Sequence, residues 1–206
     1  RWKGLSPAGR ELVKEANRLG MVLDPSHASD ETLDQMLDLS ATPLLLSHSG
    51  AKDLFNHPRN VPDALLKKVA AKGAVVQINA LGRYIEDVPP ASPERVAALA
   101  RLRETWGDPG ALPRERHEQY LDALEAVNRE HPQPLASFET YMEQFLHVLK
   151  LIGPDHVGMG ADWDGGGGVA GMNDVSQIPK VTQRLLQEGY TEADLAKIWS
   201  GNILRV

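Results

Sequence analysis

Three short apolar runs, Met21-Val22-Leu23, Pro43-Leu44-Leu45-Leu46 and Ala74-Val75-Val76-Gln77-Ile78, alternate with stretches of helical periodicity. Apolar runs of this length without polar alternation fit strands buried on both faces, and strands joined through helices run parallel. Ser6-Pro7 opens the first helix, which carries Leu12, Val13, Ala16 and Leu19 on one face and stops at Gly20. Ser29 or Asp30 caps a second helix with Leu33, Met36, Leu37 and Leu39, and a third runs from Pro62 to Gly73. A polar loop is expected over 47–60. Further on, Ser137 caps a helix through Tyr141, Phe145, Val148 and Leu149. A small-residue strand follows at 156–160, then a glycine-rich loop and helices near 177–188 and 192–199. The pattern predicts an α/β fold with four parallel strands and outer helices. Four strands cannot close a (β/α)8 barrel, which takes about 250 residues. The chain therefore reads as a small open sheet or as part of a barrel.

Between about 80 and 134 the rhythm breaks. Seven prolines, from Pro89 to Pro134, punctuate charged helical stretches near 94–105 and 114–130. We read this segment as a helical insertion within one domain spanning 1–206, and as the candidate surface for a homo-oligomer. The absence of cysteine rules out disulfides and thiolate ligands, so any metal must sit on His, Asp or Glu. A net charge of −6 with no Lys/Arg cluster argues against nucleic acid. No apolar run approaches the roughly 20 residues of a membrane span. The chain opens on Arg1 rather than Met. We expect a longer native N-terminus, and the compartment stays open with it.

Polar, reactive residues follow three of the expected strands: Asp24-Pro25-Ser26-His27, Ser47-His48-Ser49 and Asp162-Trp163-Asp164-Gly165. The C-terminal ends of parallel strands open onto one face, so two imidazoles and a carboxylate there can converge into a metal and acid/base cluster. The competing reading makes Ser26, Ser29, Asp30 and Ser47 turn and cap residues with the histidines packed beside them. Arg59, in the loop after the second run, belongs to the same face, where a guanidinium can bind a carboxylate through two parallel hydrogen bonds. His117, His131 and His147 read as structural or solvent-exposed. The glycine run 165–168 lacks the GxxxxGK[ST] pattern of a phosphate loop.

The segments 20–27, 47–49, 57–63 and 156–165, with the terminal Gly201-Asn-Ile-Leu-Arg205, resemble the membrane (renal) dipeptidase family in order and approximate spacing. That resemblance implies a (β/α)8 barrel of which this chain is the C-terminal part. It also implies two bridged zinc ions and hydrolysis of a dipeptide's peptide bond by a metal-bound hydroxide. By the same resemblance His27 and His48 ligate one zinc, Arg59 holds the substrate's free carboxylate, and Asp162 binds its amine or moves protons. Asp162 is preferred to Asp164 because it comes first after the strand. The family's early His-x-Asp pair, bridging Glu and further substrate-contacting His have no counterpart in 1–206. We therefore expect either an N-terminal part absent from this chain or a lost metal centre. Pro25 stands where the family usually carries an aliphatic residue. Two rivals remain: a related barrel amidohydrolase acting on another amide or lactone, and a metal-free pseudoenzyme or binding protein.

Overall fold

The computed structural model describes residues 2–206. Helix α1 (Pro7–Leu19) begins where the Ser6 hydroxyl accepts the Gly9 N–H at 3.0 Å. It ends on Gly20 in the left-handed conformation, with Val13 and Ala16 facing inward. Helix α2 (Asp30–Leu39) is capped by Ser29 and buries Leu33, Met36 and Leu37. Strand β1 (Leu45–Ala51) and strand β2 (Asn60–Val61) precede α3 (Asp63–Ala71), and β3 (Val75–Ile78) follows it. The remaining elements are α4 (Pro93–Trp106), α5 (Arg114–Glu130), α6 (Phe138–Ile152), β4 (Val157–Met159), α7 (Ile178–Gln187), α8 (Glu192–Ala196) and α9 (Asn202–Arg205). A π-turn at Lys197–Gly201 joins α8 to α9, so the last helical segment runs beyond the expected 199.

The four strands are parallel, in the order β2-β1-β3-β4. The centre is dry: Leu46, Val75, Val76, Ile78 and Val157 are fully buried. Helix α6 packs on β1, β4 and α3 through Tyr141, Met142, Phe145, Val148 and Leu149. Tyr141 and Phe145 meet edge to face at 5.9 Å. Within that core the Gln144 side chain accepts the Ala51 N–H at 2.7 Å, which satisfies the end of β1. The Asn202 amide donates to the carbonyls of Pro154 and Val157 and ties the chain's end to β4.

Two expectations need correction. Residues 21–23 are not a strand. A single ladder-type bond, Leu45 N–H to the Leu23 carbonyl at 3.1 Å, reaches them, and Met21 and Val22 are more than half exposed. The expected loop at 47–60 is instead part strand. β1 continues through Ser47-His48-Ser49 to Ala51, and β2 pairs with its end. β2 escaped notice because Asn60 is a polar residue at a buried position, its amide donating to the carbonyls of Phe55 and Tyr84.

The chain divides into two compact units, one formed by 1–87 with 136–206 and the other by 88–135. In the second, α4 and α5 pack together, and the buried Arg95 guanidinium donates to the His131 carbonyl and the Asn128 side chain. No described helix is long and apolar enough to cross a membrane.

Candidate active site

The parallel strands of the first unit present their C-terminal ends on one face. His27 reaches it from the turn that links the Leu23 edge to α2, a turn closed by the Ala28 N–H on the Pro25 carbonyl at 2.8 Å. His48 reaches it from inside β1. There the register slips by one residue: Leu46 pairs with Val76, but Ser49 pairs with Ile78. An extra residue in one strand re-aims a side chain, and here the in–out alternation breaks at Ser47 and His48, both half-buried. The neighbouring backbone closes tightly under this bulge. A Cβ on Gly160 would lie 2.0 Å from the Ser47 carbonyl oxygen, so only glycine fits beside it.

The two imidazoles meet with Nε2 atoms 2.9 Å apart. Arg59 completes the group. Its Nη1 donates to the Ser26 carbonyl and its Nη2 contacts His27 Nε2 at 3.2 Å, while its guanidinium lies 5.5 Å from the Tyr84 ring centroid. Tyr84 in turn stacks on His57 at 4.4 Å. The Arg59 Nε–H is buried without a partner.

The hydrogen-bond chemistry around the pair is directional. Asp24 accepts the N–H and hydroxyl of Ser26 (2.9 and 2.6 Å), the Ser47 N–H (3.2 Å) and, in a short contact, the Ser47 hydroxyl. Burial opposes ionisation of Asp24, but these four donors outweigh it and hold its carboxyl below the usual range. An ionised carboxylate only accepts, so each serine directs its one hydroxyl proton to Asp24. The Ser47 oxygen, 2.7 Å from His48 Nδ1, is then left to accept the Nδ1–H. That leaves His48 Nε2 with a lone pair. His27 Nε2 faces a guanidinium N–H, which also demands a lone pair. Two nitrogen lone pairs therefore converge, an arrangement that a cation relieves.

Desolvation is the largest influence on His48 and, with Arg59 and His27, lowers its pKa against the opposing charges of Asp162 and Asp24. The 2.9 Å separation is within a few tenths of an ångström of the roughly 3.3 Å set by two Zn–N bonds of about 2.0–2.1 Å at a tetrahedral angle. The pair fits one side of a metal centre. No group of three or more His, Asp or Glu among the described residues forms a complete one.

Asp162 follows β4 in the left-handed conformation (φ 60°), with its carbonyl accepting the N–H groups of Gly165 and Gly167 at 3.0 and 2.7 Å. A Cβ on Gly165 would sit 2.1 Å from the Asp162 carboxylate, so the glycine run is the wrapping that this conformation requires. Asp162 lines a cavity of about 260 Å³ with Met159, Ala161, Trp163, Ile178 and Trp199, and the buried Trp163 Nε1 lacks a partner. Asp164 is exposed. His27, His48 and Arg59 thus form one contact group, and the charge of Asp162 opposes the lowering of the His48 pKa. His147 instead pairs with Asp63 through both carboxylate oxygens, at 2.8 and 3.0 Å.

Sequence reasoning named Asp24, Ser26 and Ser47 only as polar residues beside the histidines, with the two serines as turn or cap candidates, and gave them no role in orienting the pair; Tyr84 it did not single out. A serine directly before each histidine and an aspartate three residues before His27 were visible signals for the first three; Tyr84 had none.

Known proteins are similar to this chain over almost all of its length. The model of the membrane dipeptidases, peptidase family M19, matches residues 1–206. A dipeptidase of Schizosaccharomyces pombe described as uncharacterized is 35% identical over 99% of this chain and 40% of its own length. The crystal structure of the probable dipeptidase PvdM from Pseudomonas aeruginosa is 34% identical with a TM-score of 0.72, covering 98% of this chain and 53% of that one. A metallopeptidase from Rhodobacter sphaeroides, solved with a phosphinate mimic of the dipeptide L-Ala-D-Ala, is 25% identical with a TM-score of 0.71 over 98% of this chain and 46% of that one. The chain spans about half or less of the length of these relatives. Its parallel α/β arrangement matches part of their TIM-barrel-like fold.

Proposed function

The chain belongs to the membrane dipeptidase family, peptidase family M19, and from that premise we propose that it carries part of the active site of a zinc-dependent dipeptidase. The observation that carries the reading is the convergence of the His27 and His48 Nε2 lone pairs beside the Arg59 guanidinium. The dipeptide mimic bound by the Rhodobacter sphaeroides relative supports the substrate class. Both compact units count here as one catalytic domain.

His27 and His48 would hold one zinc of a two-zinc centre, with its other positions open to ligands outside this pair and to substrate. Zinc bound there supplies Lewis-acid polarisation of a carbonyl and makes water a nucleophile near neutral pH. The protein's own groups select and orient the dipeptide. Of the five Arg59 N–H donors, the one on the Ser26 carbonyl stays engaged, whereas the one that meets His27 Nε2 would be released when zinc takes that lone pair and, with its neighbours, would take the C-terminal carboxylate. Asp162, whose carboxylate takes no hydrogen bond among the described residues, binds the free amine or carries a proton to the leaving nitrogen as the C–N bond breaks and the acyl carbon gains a hydroxyl. A longer peptide lacks a carboxylate at that distance, which gives the limit to dipeptides.

The reading is tested by assaying L,L- and L,D-dipeptides with the purified full-length protein before and after chelation. Hydrolysis that is lost with the metal and restored by zinc is expected; hydrolysis indifferent to chelation refutes it. Arg59→Ala is expected to raise KM about 10–100-fold with a smaller change in kcat, consistent with loss of a charge-assisted contact to the substrate carboxylate. Lysine at 59 should restore little, because it cannot form the bidentate pair. An unchanged KM rules out the carboxylate role.

A further inference from the structure

We propose that Asp24 is a positioning residue that assembles the imidazole pair and fixes the tautomer of His48. The inference rests on the metal reading of that pair.

The two histidines arrive on different segments, one from the turn after Leu23 and one from the bulge in β1. No backbone ladder joins these segments at this level, because 21–23 meets β1 through the Leu45–Leu23 bond alone. Asp24 replaces the missing ladder. One carboxylate oxygen takes the N–H and hydroxyl of Ser26 and the N–H of Ser47, and the other takes the Ser47 hydroxyl. The Ser26 hydroxyl oxygen then accepts the His48 N–H at 3.1 Å, which closes the link between the segments. Asp24 thus grips the residue directly before each histidine.

Its second action passes through Ser47. As long as the Ser47 hydroxyl donates to Asp24, its oxygen can only accept from His48 Nδ1–H, so Nε2 keeps its lone pair toward His27. A metal-binding imidazole whose other nitrogen donates to such a partner has its ring orientation and tautomer set in advance, and removing the partner typically costs about 10–100-fold in metal affinity.

Asp24→Asn separates this assignment from a general structural role. The amide oxygen can keep the three donors of Ser26 and the Ser47 N–H. The amide NH2, in place of the second oxygen, donates to the Ser47 oxygen and sends the Ser47 proton toward His48 Nδ1. The tautomer inverts, and His48 Nε2 carries a hydrogen where the lone pair was. Ser47→Ala removes the acceptor outright while leaving Asp24 on Ser26.

The experiment records imidazole ¹⁵N shifts of the purified metal-free protein at a pH where the histidines are neutral, with His48 assigned from the spectrum of His48→Gln. Zinc affinity is measured by competition with a chelator, and folding by far-UV circular dichroism. The parent should show His48 as the Nδ1–H tautomer. Asp24→Asn should show Nε2–H, and both it and Ser47→Ala should bind zinc about 10–100-fold more weakly with the fold intact. An unchanged tautomer in Asp24→Asn, or zinc affinity within twofold of the parent in both variants, overturns the assignment. If Asp24→Asn fails to fold, Ser47→Ala decides it: loss of the Nδ1–H signal and of affinity supports the relay, and retention of both refutes it. A parent that binds no zinc overturns the metal reading, and the tautomer comparison still decides whether Asp24 sets His48.

Discussion

Replacing His48 with alanine is expected to lower kcat/KM for dipeptides by at least about 100-fold. That is the upper end of what losing a second-layer partner of a metal ligand costs, and His48 is proposed as the ligand itself. The loss corresponds to about 2.7 kcal/mol of transition-state stabilisation. The side chain is half-buried, with Nε2 against His27 and Nδ1 against Ser47, so alanine deletes the site contact without opening the core. His27→Ala should fall by a similar factor. The double variant should fall little further, because residues that act as one unit are not additive. Zinc content measured on the same preparations should drop in step with activity. If His48→Ala keeps activity within a few-fold of the parent at unchanged zinc content, the imidazole pair is not the metal site.

The second large effect is on stability. Phe145→Ala should cost about 3–5 kcal/mol, as large-to-small changes at fully buried aromatics do. Phe145 is completely buried on α6, the helix that packs on β1, β4 and α3, and its edge-to-face contact with Tyr141 is lost as well. Domains are stable by only about 5–15 kcal/mol, so the variant should sit near the threshold of folding. Urea denaturation would show a lower midpoint at an unchanged slope. Phe145→Leu, which refills most of the volume, should recover much of the loss. A cost below about 1 kcal/mol for alanine would mean that α6 does not anchor the sheet as its burial implies.

The two predictions concern levels of structure that were unequally legible in the sequence. The α6 core was readable: Tyr141, Phe145, Val148 and Leu149 recur at helical spacing behind a Ser137 cap, and the structure buries all four. Periodicity reports burial directly because side chains three and four apart share one helix face. The site residues were readable only as candidates. His27 and His48 were expected after strands, yet one lies on a turn beside an unpaired edge and the other within β1. What aims His48 is a one-residue slip against β3, set by pairing with residues nearly thirty positions away. No local pattern encodes such a slip.

By itself, then, the sequence determined the parallel α/β class, most helix boundaries through Ser6, Gly20, Ser29 and Ser137, the absence of thiolate ligands, and the family resemblance that the comparisons bear out. These follow from the period of apolar residues, from capping chemistry and from composition, each carried by residues close together along the chain. Only the tertiary structure decided that 21–23 is no strand, that Asn60–Val61 is one, and that Asp24 links the segments bearing His27 and His48. Strand pairing and hydrogen-bond direction depend on which groups meet across the fold. A carboxylate three residues before one histidine and 24 before another becomes the centre of a site only when a turn and a bulged strand close around it.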